Sequence, residues 1–335
     1  PILYTLGASE NTITYARQYM FFVVVVGAFP TVLSNTMSSM LRNVGYSKEA
    51  AFGLGMGGIL NVILDPIFMF VIMSDGYEVM GAAIATLLSN VIALIYYIVS
   101  YQKVKNVTII ELPKRIEKVL PESKKSLFSV GLPAACSLLL YDLTNMVINM
   151  LSSSHGDLEL AAMGIILKVE RLPLNIGIGI CLGMTPLVAY NYAAKNKKRM
   201  QAFFKAARTS GLIVAAISLV LYRFGAPVIM KAFISDVETV RLGTAFLQAR
   251  CFAPPFMFLS FHMVHFMQAV DEGKISFYLA VIRQLCLNIP ILFLLNAIFG
   301  MDGIIWTQVI ADILNVIASY VIYAKVMKKS KFAFA

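Results

Sequence analysis

Residues 80–125 read MGAAIATLLSNVIALIYYIVSYQKVKNVTIIELPKRIEKVLPESKK. Met80 to Tyr101 carry no charged side chain, whereas Gln102–Lys125 carry seven lysines and arginines. About 20 apolar residues in an α-helix cross the hydrocarbon core of a bilayer. Lipid offers no partner to backbone N–H and C=O groups, so a helix that closes its own hydrogen bonds is the expected form. The basic stretch, broken by Leu112-Pro113 and Leu120-Pro121, reads as the chain leaving the membrane. The same change from apolar run to polar loop recurs along the chain. It predicts nine transmembrane helices, over roughly 15–41, 50–73, 80–101, 126–152, 160–190, 203–222, 243–269, 275–298 and 303–324.

Composition agrees. Of 335 residues 59% are hydrophobic and 14% charged, with a mean hydropathy of +0.77. A soluble domain carries roughly 25% charge, and a soluble core of this size cannot absorb the extra apolar surface. The net charge of +10 does not point to nucleic acid, because the basic residues cluster in short loops between apolar runs. No basic segment precedes the first run, so no signal peptide is expected. Cys136, Cys181, Cys251 and Cys286 lie inside apolar runs without CxxC spacing and read as packing residues.

The loops test the count. If every run crosses, loops 42–48, 102–125, 195–199, 271–274 and the tail after 324 share one side, with 18 lysines and arginines. The opposite set, 1–14, 74–79, 153–159, 223–241 and 299–302, has 3. Cytoplasmic loops hold the excess, so the N-terminus is expected outside and the C-terminus inside, in a multi-pass protein of the cell membrane. Gln102–Lys125 then reads as a cytoplasmic linker between 1–101 and 126–335.

Transporters are often built from duplicated bundles, and the chain resembles itself. Pro1-Ile-Leu with Ser9-Glu10 matches Pro227-Val-Ile with Ser235-Asp236 at an offset of 226. Lys48 and Lys274 follow at 226, Pro66 and Pro290 at 224, Gly81 and Gly303 at 222. Both copies run in the same direction, which makes the repeat parallel. The second copy starts near Ser126, about 101 residues before Pro227. A matching first copy would extend some 100 residues ahead of Pro1 with three more helices, giving a six-plus-six protein of which 1–101 is a partial N-lobe and 126–335 a complete C-lobe.

Several segments resemble one family. Met40-Leu41-Arg42-Asn43-Val44-Gly45, Asn61-Val62-Ile63-Leu64-Asp65-Pro66-Ile67-Phe68 and Met80-Gly81-Ala82-Ala83-Ile84-Ala85-Thr86 are similar to the fourth to sixth helices of the multidrug and toxic compound extrusion (MATE) family. Thr185-Pro186-Leu187-Val188-Ala189-Tyr190-Asn191-Tyr192-Ala193-Ala194-Lys195 resembles the ending of its eighth helix, with Ala193 where Gly is usual. Gly300-Met301-Asp302-Gly303-Ile304-Ile305-Trp306 resembles the turn into its last helix. The resemblance covers essentially the whole chain. It implies a two-lobed antiporter working by alternating access, which exports amphipathic or cationic small molecules in exchange for H⁺ or Na⁺. It also implies a missing acidic residue on a first helix that this chain does not contain.

Asn61 and Asp65 are four apart and so stack on one helical face. Asp65 lies about 12 Å inside its run at 1.5 Å per residue. An ionised Asp at a helix centre costs on the order of 2.5–3.5 kcal/mol, so it needs a proton, a cation or a partner. Pro66 leaves the Val62 carbonyl without its helical donor, and Thr86, one turn into the next run, adds a hydroxyl. A carboxylate, an amide oxygen and a freed carbonyl suit a hard cation or a proton. By resemblance Asn61, Asp65 and Thr86 match the family's N-lobe cation-binding positions; the alternative is helix cross-linking alone.

In the C-lobe, Asp142 shares a face with Asn145 and Asn149, and Lys168 and Arg171 share a face three residues apart. These suggest a cavity lined by Asp142, Asn145, Lys168 and Arg171, or neutralisation among them with Glu170. Asp312, which aligns with Asn90 in the repeat, reads as a hydrogen-bonding group within the bundle. His262 and His265 form HxxH without the intervening Glu of a zinc protease, so core or cavity histidines are expected and no metal. The 18 methionines and 11% aromatic residues suit an adaptable pocket or plain packing equally. There is no nucleotide-binding loop, no dinucleotide fingerprint and no nucleophile–base constellation, so neither an enzyme nor an ATP-driven pump is expected, and no cofactor beyond the coupling ion. Partners are expected to be small molecules and lipid, not nucleic acid, with a monomeric chain. A lipid-linked sugar flippase of the same superfamily is an alternative, opposed by the few intramembrane basic residues (Lys168, Arg171, Arg250, Arg283); a non-transporting membrane interaction protein is another.

Overall fold

The computed structural model describes residues 13–109 and 120–328. Among these every regular element is helical. The Pro1–Glu10 landmark of the repeat and the linker residues Lys114, Arg115 and Lys118 lie outside the described residues. The chain divides into two compact units, Pro1–Glu117 and Lys118–Ala335.

In the first unit α1 (Ile13–Met20) runs into a π-helical turn, Phe21–Val26, and bends by 46° into α2 (Ala28–Asn43). Next come α3 (Ser47–Ile67), with a second π-helical turn at Phe68–Ile72, and α4 (Glu78–Val104). Met37, Leu41, Ala50, Leu94, Tyr97 and Val104 form the core. Two polar groups reach into it: the hydroxyls of Tyr97 and Ser38 both donate to the Ala50 carbonyl, at 2.7 and 3.3 Å. Their bonds remove the penalty that a bare hydroxyl would suffer there.

The second unit holds α5 (Pro121–Ser153), α6 (Asp157–Ala193), α7 (Lys197–Phe233), α8 (Val237–Arg250), α9 (Ala253–Ala269), α10 (Gly273–Val281) with a π-helical stretch Ile282–Asn288, α11 (Ile289–Phe299) and α12 (Met301–Met327). Local chemistry sets their ends. Asn196 caps α7 by accepting from the Arg199 N–H at 3.0 Å. Asp236 caps α8, accepting from both the N–H and the hydroxyl of Thr239. Gly300, at φ +58, turns the chain from α11 into α12 in a conformation that disfavours a Cβ.

Among the described residues seven helices are long and apolar enough to cross a membrane, and an eighth is obtained by counting the bent pair Ile13–Val26 and Ala28–Asn43 as one span. The remaining run, 243–269, does not form the single helix expected of it. It breaks at Cys251-Phe252, giving α8 and α9 of 14 and 17 residues. Pro254 and Pro255 lack the N–H groups that would carry α8 onward, and proline is at home in the first turn of a new helix.

Two pairs of repeat landmarks can be compared within the described residues. Pro66 sits two residues before one π-helical turn, and Pro290 two residues after another. Gly81 and Gly303 each let the following helix touch the backbone of the preceding one. A Cβ on Gly81 would lie 2.7 Å from the Phe68 carbonyl oxygen, and one on Gly303 2.0 Å from that of Leu295.

Two apolar clusters form the core of the second unit. One gathers Ile148, Ala162, Ile166, Tyr222, Leu247, Leu292 and Ile304; the other gathers Met184, Val188, Met200, Phe204, Met263, Phe266 and Val326. Five buried polar residues of α6 and α12 fall between them: Glu170 on the first, and Gln308, Asp312, Asn315 and Ser319 on the second. Cys181 and Cys251 are buried as packing residues, whereas Cys286 is exposed.

Candidate functional site

In the first unit, α3 and α4 bring Asn61, Asp65 and Thr86 together. The Asn61 amide donates to Asp65 Oδ1 at 2.9 Å and to Thr86 Oγ1 at 3.1 Å. The Thr86 hydroxyl is itself directed to the Ala82 carbonyl, at 3.0 Å, so its oxygen is the acceptor for Asn61. Both amide protons of Asn61 are thereby used. The second carboxylate oxygen of Asp65 and the amide oxygen of Asn61 take no donor among the described residues. All three side chains are half-buried. Pro66 and the π-helical turn that follows it interrupt the regular α-helical bonding on the next turn. Several oxygens on one side of a helix break, with one negative charge among them, form an oxygen-rich locus for a proton or a small hard cation. Among the described residues no three His, Cys, Asp or Glu side chains converge as a metal cluster would.

The residues named for the C-lobe divide. Asp142 and Arg171 approach to 3.7 Å, with 69% and 57% of their side chains exposed. Asn145 lies one turn from Asp142 on the same helix. Lys168 stands apart, at the edge of an apolar groove between α6 and α7 lined by Leu172, Ile176, Ile217, Leu221 and Phe233. Glu170 does not join Asp142, Lys168 or Arg171. It turns into the bundle and binds Arg250, with Nε–Oε1 and Nη2–Oε2 both 2.8 Å. Asp312 is likewise more than a neutral hydrogen-bonding group. It pairs with Arg283 at 2.6 and 3.2 Å and also accepts from Gln308. Its repeat counterpart Asn90 makes a neutral bond to Thr31 Oγ1 at 3.0 Å.

These two buried ion pairs were not legible as pairs, since 80 and 29 residues separate their members. The available signal was the rule that a charge inside the membrane needs an opposite one, applied to two arginines and two acids left over in apolar runs. Both pairs border α12: the Arg250 Nη1 group reaches the Ile305 carbonyl at 3.4 Å, and Asp312, which holds Arg283, lies two turns farther along the same helix. Arg283 also stacks on the Phe261 ring at 4.7 Å. Around them Thr144 donates to Gln284 at 3.1 Å and Asn288 to Gln308 at 3.1 Å. His262 and His265 direct ring nitrogens at the Phe204 and Phe261 carbonyls, as core histidines do.

Comparison with known proteins places this architecture. A family model described as MatE matches residues 133–294. The multidrug export protein MepA of Staphylococcus aureus (strain MSSA476) is 29% identical over 320 residues, covering 95% of this chain and 68% of that protein. MepA of Staphylococcus saprophyticus is 26% identical over 325 residues, covering 96% and 69%. Among solved structures, the MATE transporter VcmN of Vibrio cholerae superimposes with a TM-score of 0.88 at 21% identity, covering 99% of this chain and 74% of that one. At that identity the match speaks for the fold.

Proposed function

We propose that the chain is a membrane transporter of the multidrug and toxic compound extrusion family and that it serves a cation-coupled antiporter. The antiporter exports amphipathic or cationic small molecules by alternating access. Asn61, Asp65 and Thr86 form its coupling-ion site. The observation that carries this reading is the arrangement of these three side chains. Asn61 holds one oxygen of Asp65 and leaves the other open beside the helix break, as a site that takes up and releases H⁺ or Na⁺ requires. A carboxylate with a full set of permanent donors would have no such capacity.

Occupation of Asp65 by a proton or cation removes an uncompensated charge from the membrane interior, where it is costly. A conformational change that the charged state resists is thereby released, and the differential stability of the two states sets the coupling. The multidrug export described for MepA supports a small-molecule substrate. The loop charges support a cell-membrane orientation with the chain's first residue outside and its last in the cytoplasm. Residues 1–101 and 126–335 act as the two lobes. The flippase reading is weakened, because Arg250, Arg283 and Arg171 all face carboxylates and offer little charge to a polyanionic headgroup.

Asp65→Asn in the complete gene product, reconstituted in proteoliposomes with an imposed pH or Na⁺ gradient, tests the assignment. Gradient-driven transport is expected to vanish while substrate binding persists. Undiminished gradient-driven transport would overturn the site.

A further inference from the structure

The polar residues of α12 continue past the Arg283–Asp312 pair without protein partners among the described residues. Gln308, Asp312, Asn315 and Ser319 are spaced 4, 3 and 4 apart, so they follow one face of the helix. Their exposures are 5%, 0%, 0% and 0%. Gln308 and Asp312 are bonded, to Asn288, Arg283 and each other. Asn315 has neither amide hydrogens nor amide oxygen bonded, and the Ser319 hydroxyl is also unpartnered.

A third unpartnered group lies at the same level. The α8–α9 segment and α12 run in the same direction, since Arg250 touches Ile305 and Phe266 packs on Tyr323 at 5.3 Å. Counting back from Phe266, Ser260 is level with residue 317, between Asn315 and Ser319. Ser260 is 1% exposed and its hydroxyl has no partner. One amide, two hydroxyls and the unpartnered Nδ1 of His262, which is level with residue 319, therefore fall within a slab about 6 Å thick at 1.5 Å per residue, deep in the unit.

Each orphaned group in an apolar interior is destabilising, and buried polar groups without protein partners are where internal water resides. The set supplies two amide donors, a carbonyl acceptor, a ring nitrogen and two hydroxyls that can serve either way. A water, which needs two to four partners of both kinds, matches it. A bare cation would leave the amide hydrogens idle. We propose that the C-terminal unit holds an internal water site seated by Asn315, Ser319 and Ser260. The site prolongs the polar column of Gln308 and Asp312 to about 16 Å and hydrates the buried Arg283–Asp312 pair from one side.

Thermal unfolding of the detergent-purified full chain tests it by sign. Asn315→Leu preserves volume but evicts the water, and Ser319→Ala removes one of its anchors. Each is expected to lower Tm by on the order of 2–4 °C, and the double variant by less than the sum, because one shared water is lost once. A dry pocket predicts the reverse: Asn315→Leu relieves an unpaired amide, so an unchanged or raised Tm overturns the proposal. If Asn315→Leu does not fold, Ser319→Ala and Ser260→Ala decide on the same criterion. A Tm that rises with NaCl over choline chloride, and no longer does so in Ser319→Ala, identifies a cation in place of water and overturns it also.

Discussion

One guanidinium holds both carboxylate oxygens of Glu170: Arg250 Nε and Nη2 each donate at 2.8 Å from 80 residues away. Arg250 is 1% exposed and Glu170 4%. The pair ties α8, just before its break, to the middle of α6, and the Arg250 Nη1 group reaches on to the Ile305 carbonyl of α12 at 3.4 Å. Taking two charges from water is expensive, and only such bidentate geometry recovers the cost. Removing one member leaves the other charged and unpaired. Glu170→Gln is expected to destabilise the chain by about 3–5 kcal/mol, whereas Glu170→Leu with Arg250→Met together cost far less. Chemical denaturation of the single and double variants measures the difference.

Asp142 and Arg171 provide the contrast. At 3.7 Å, with more than half of each side chain exposed, their attraction is weak. Asp142→Asn should change stability by less than about 1 kcal/mol. A drop as large as that of Glu170→Gln, in the same denaturation assay, would show that the pair is more enclosed than its exposure indicates.

Gly81→Ala and Gly303→Ala place a methyl against a backbone carbonyl that cannot rotate aside. Each should destabilise by about 1–3 kcal/mol, the second more, because its Cβ would come nearer. Gly58→Ala meets nothing within 4 Å and should be neutral or stabilising by up to about 1 kcal/mol. Melting temperatures of the three variants check the order.

Asp236 lies between α7 and α8, and the Thr239 N–H, then the Thr239 hydroxyl, hold its carboxyl below the usual carboxylate range. A depressed folded-state pKa adds stability at pH values above the ordinary Asp pKa of 3.8, and that stability is lost as pH falls through the lower folded value. Asp236→Ala should lower Tm at neutral pH by a small amount, and the gap to the parent should close on acidification below pH 3.8. A gap that stays constant with pH would show that the cap works without its charge.

Thr86→Val removes the acceptor that fixes Asn61 while keeping the helix shape. On the coupling-site reading, losing a bond of about 1 kcal/mol should weaken the ion dependence of transport roughly fivefold and leave the fold intact. Half-saturation by the driving ion in proteoliposomes of the complete gene product reports it.

By itself the sequence determined that the chain is helical and lies in a membrane, and where most of its helices begin and end. Lipid demands apolar length and self-satisfied backbone, and both are written in consecutive residues. It determined the Asn61–Asp65 contact for the same reason, since i and i+4 meet on any helix. Tertiary structure decided the rest. It broke the run 243–269 at Cys251-Phe252, where burying Arg250 against Glu170 and starting a new helix at two prolines outweighs continuity. It also decided which charges meet. Glu170 could have joined Lys168 or Arg171 by sequence distance; it joined Arg250, because partner choice inside a bundle depends on which helix faces are packed together, and no local period records that.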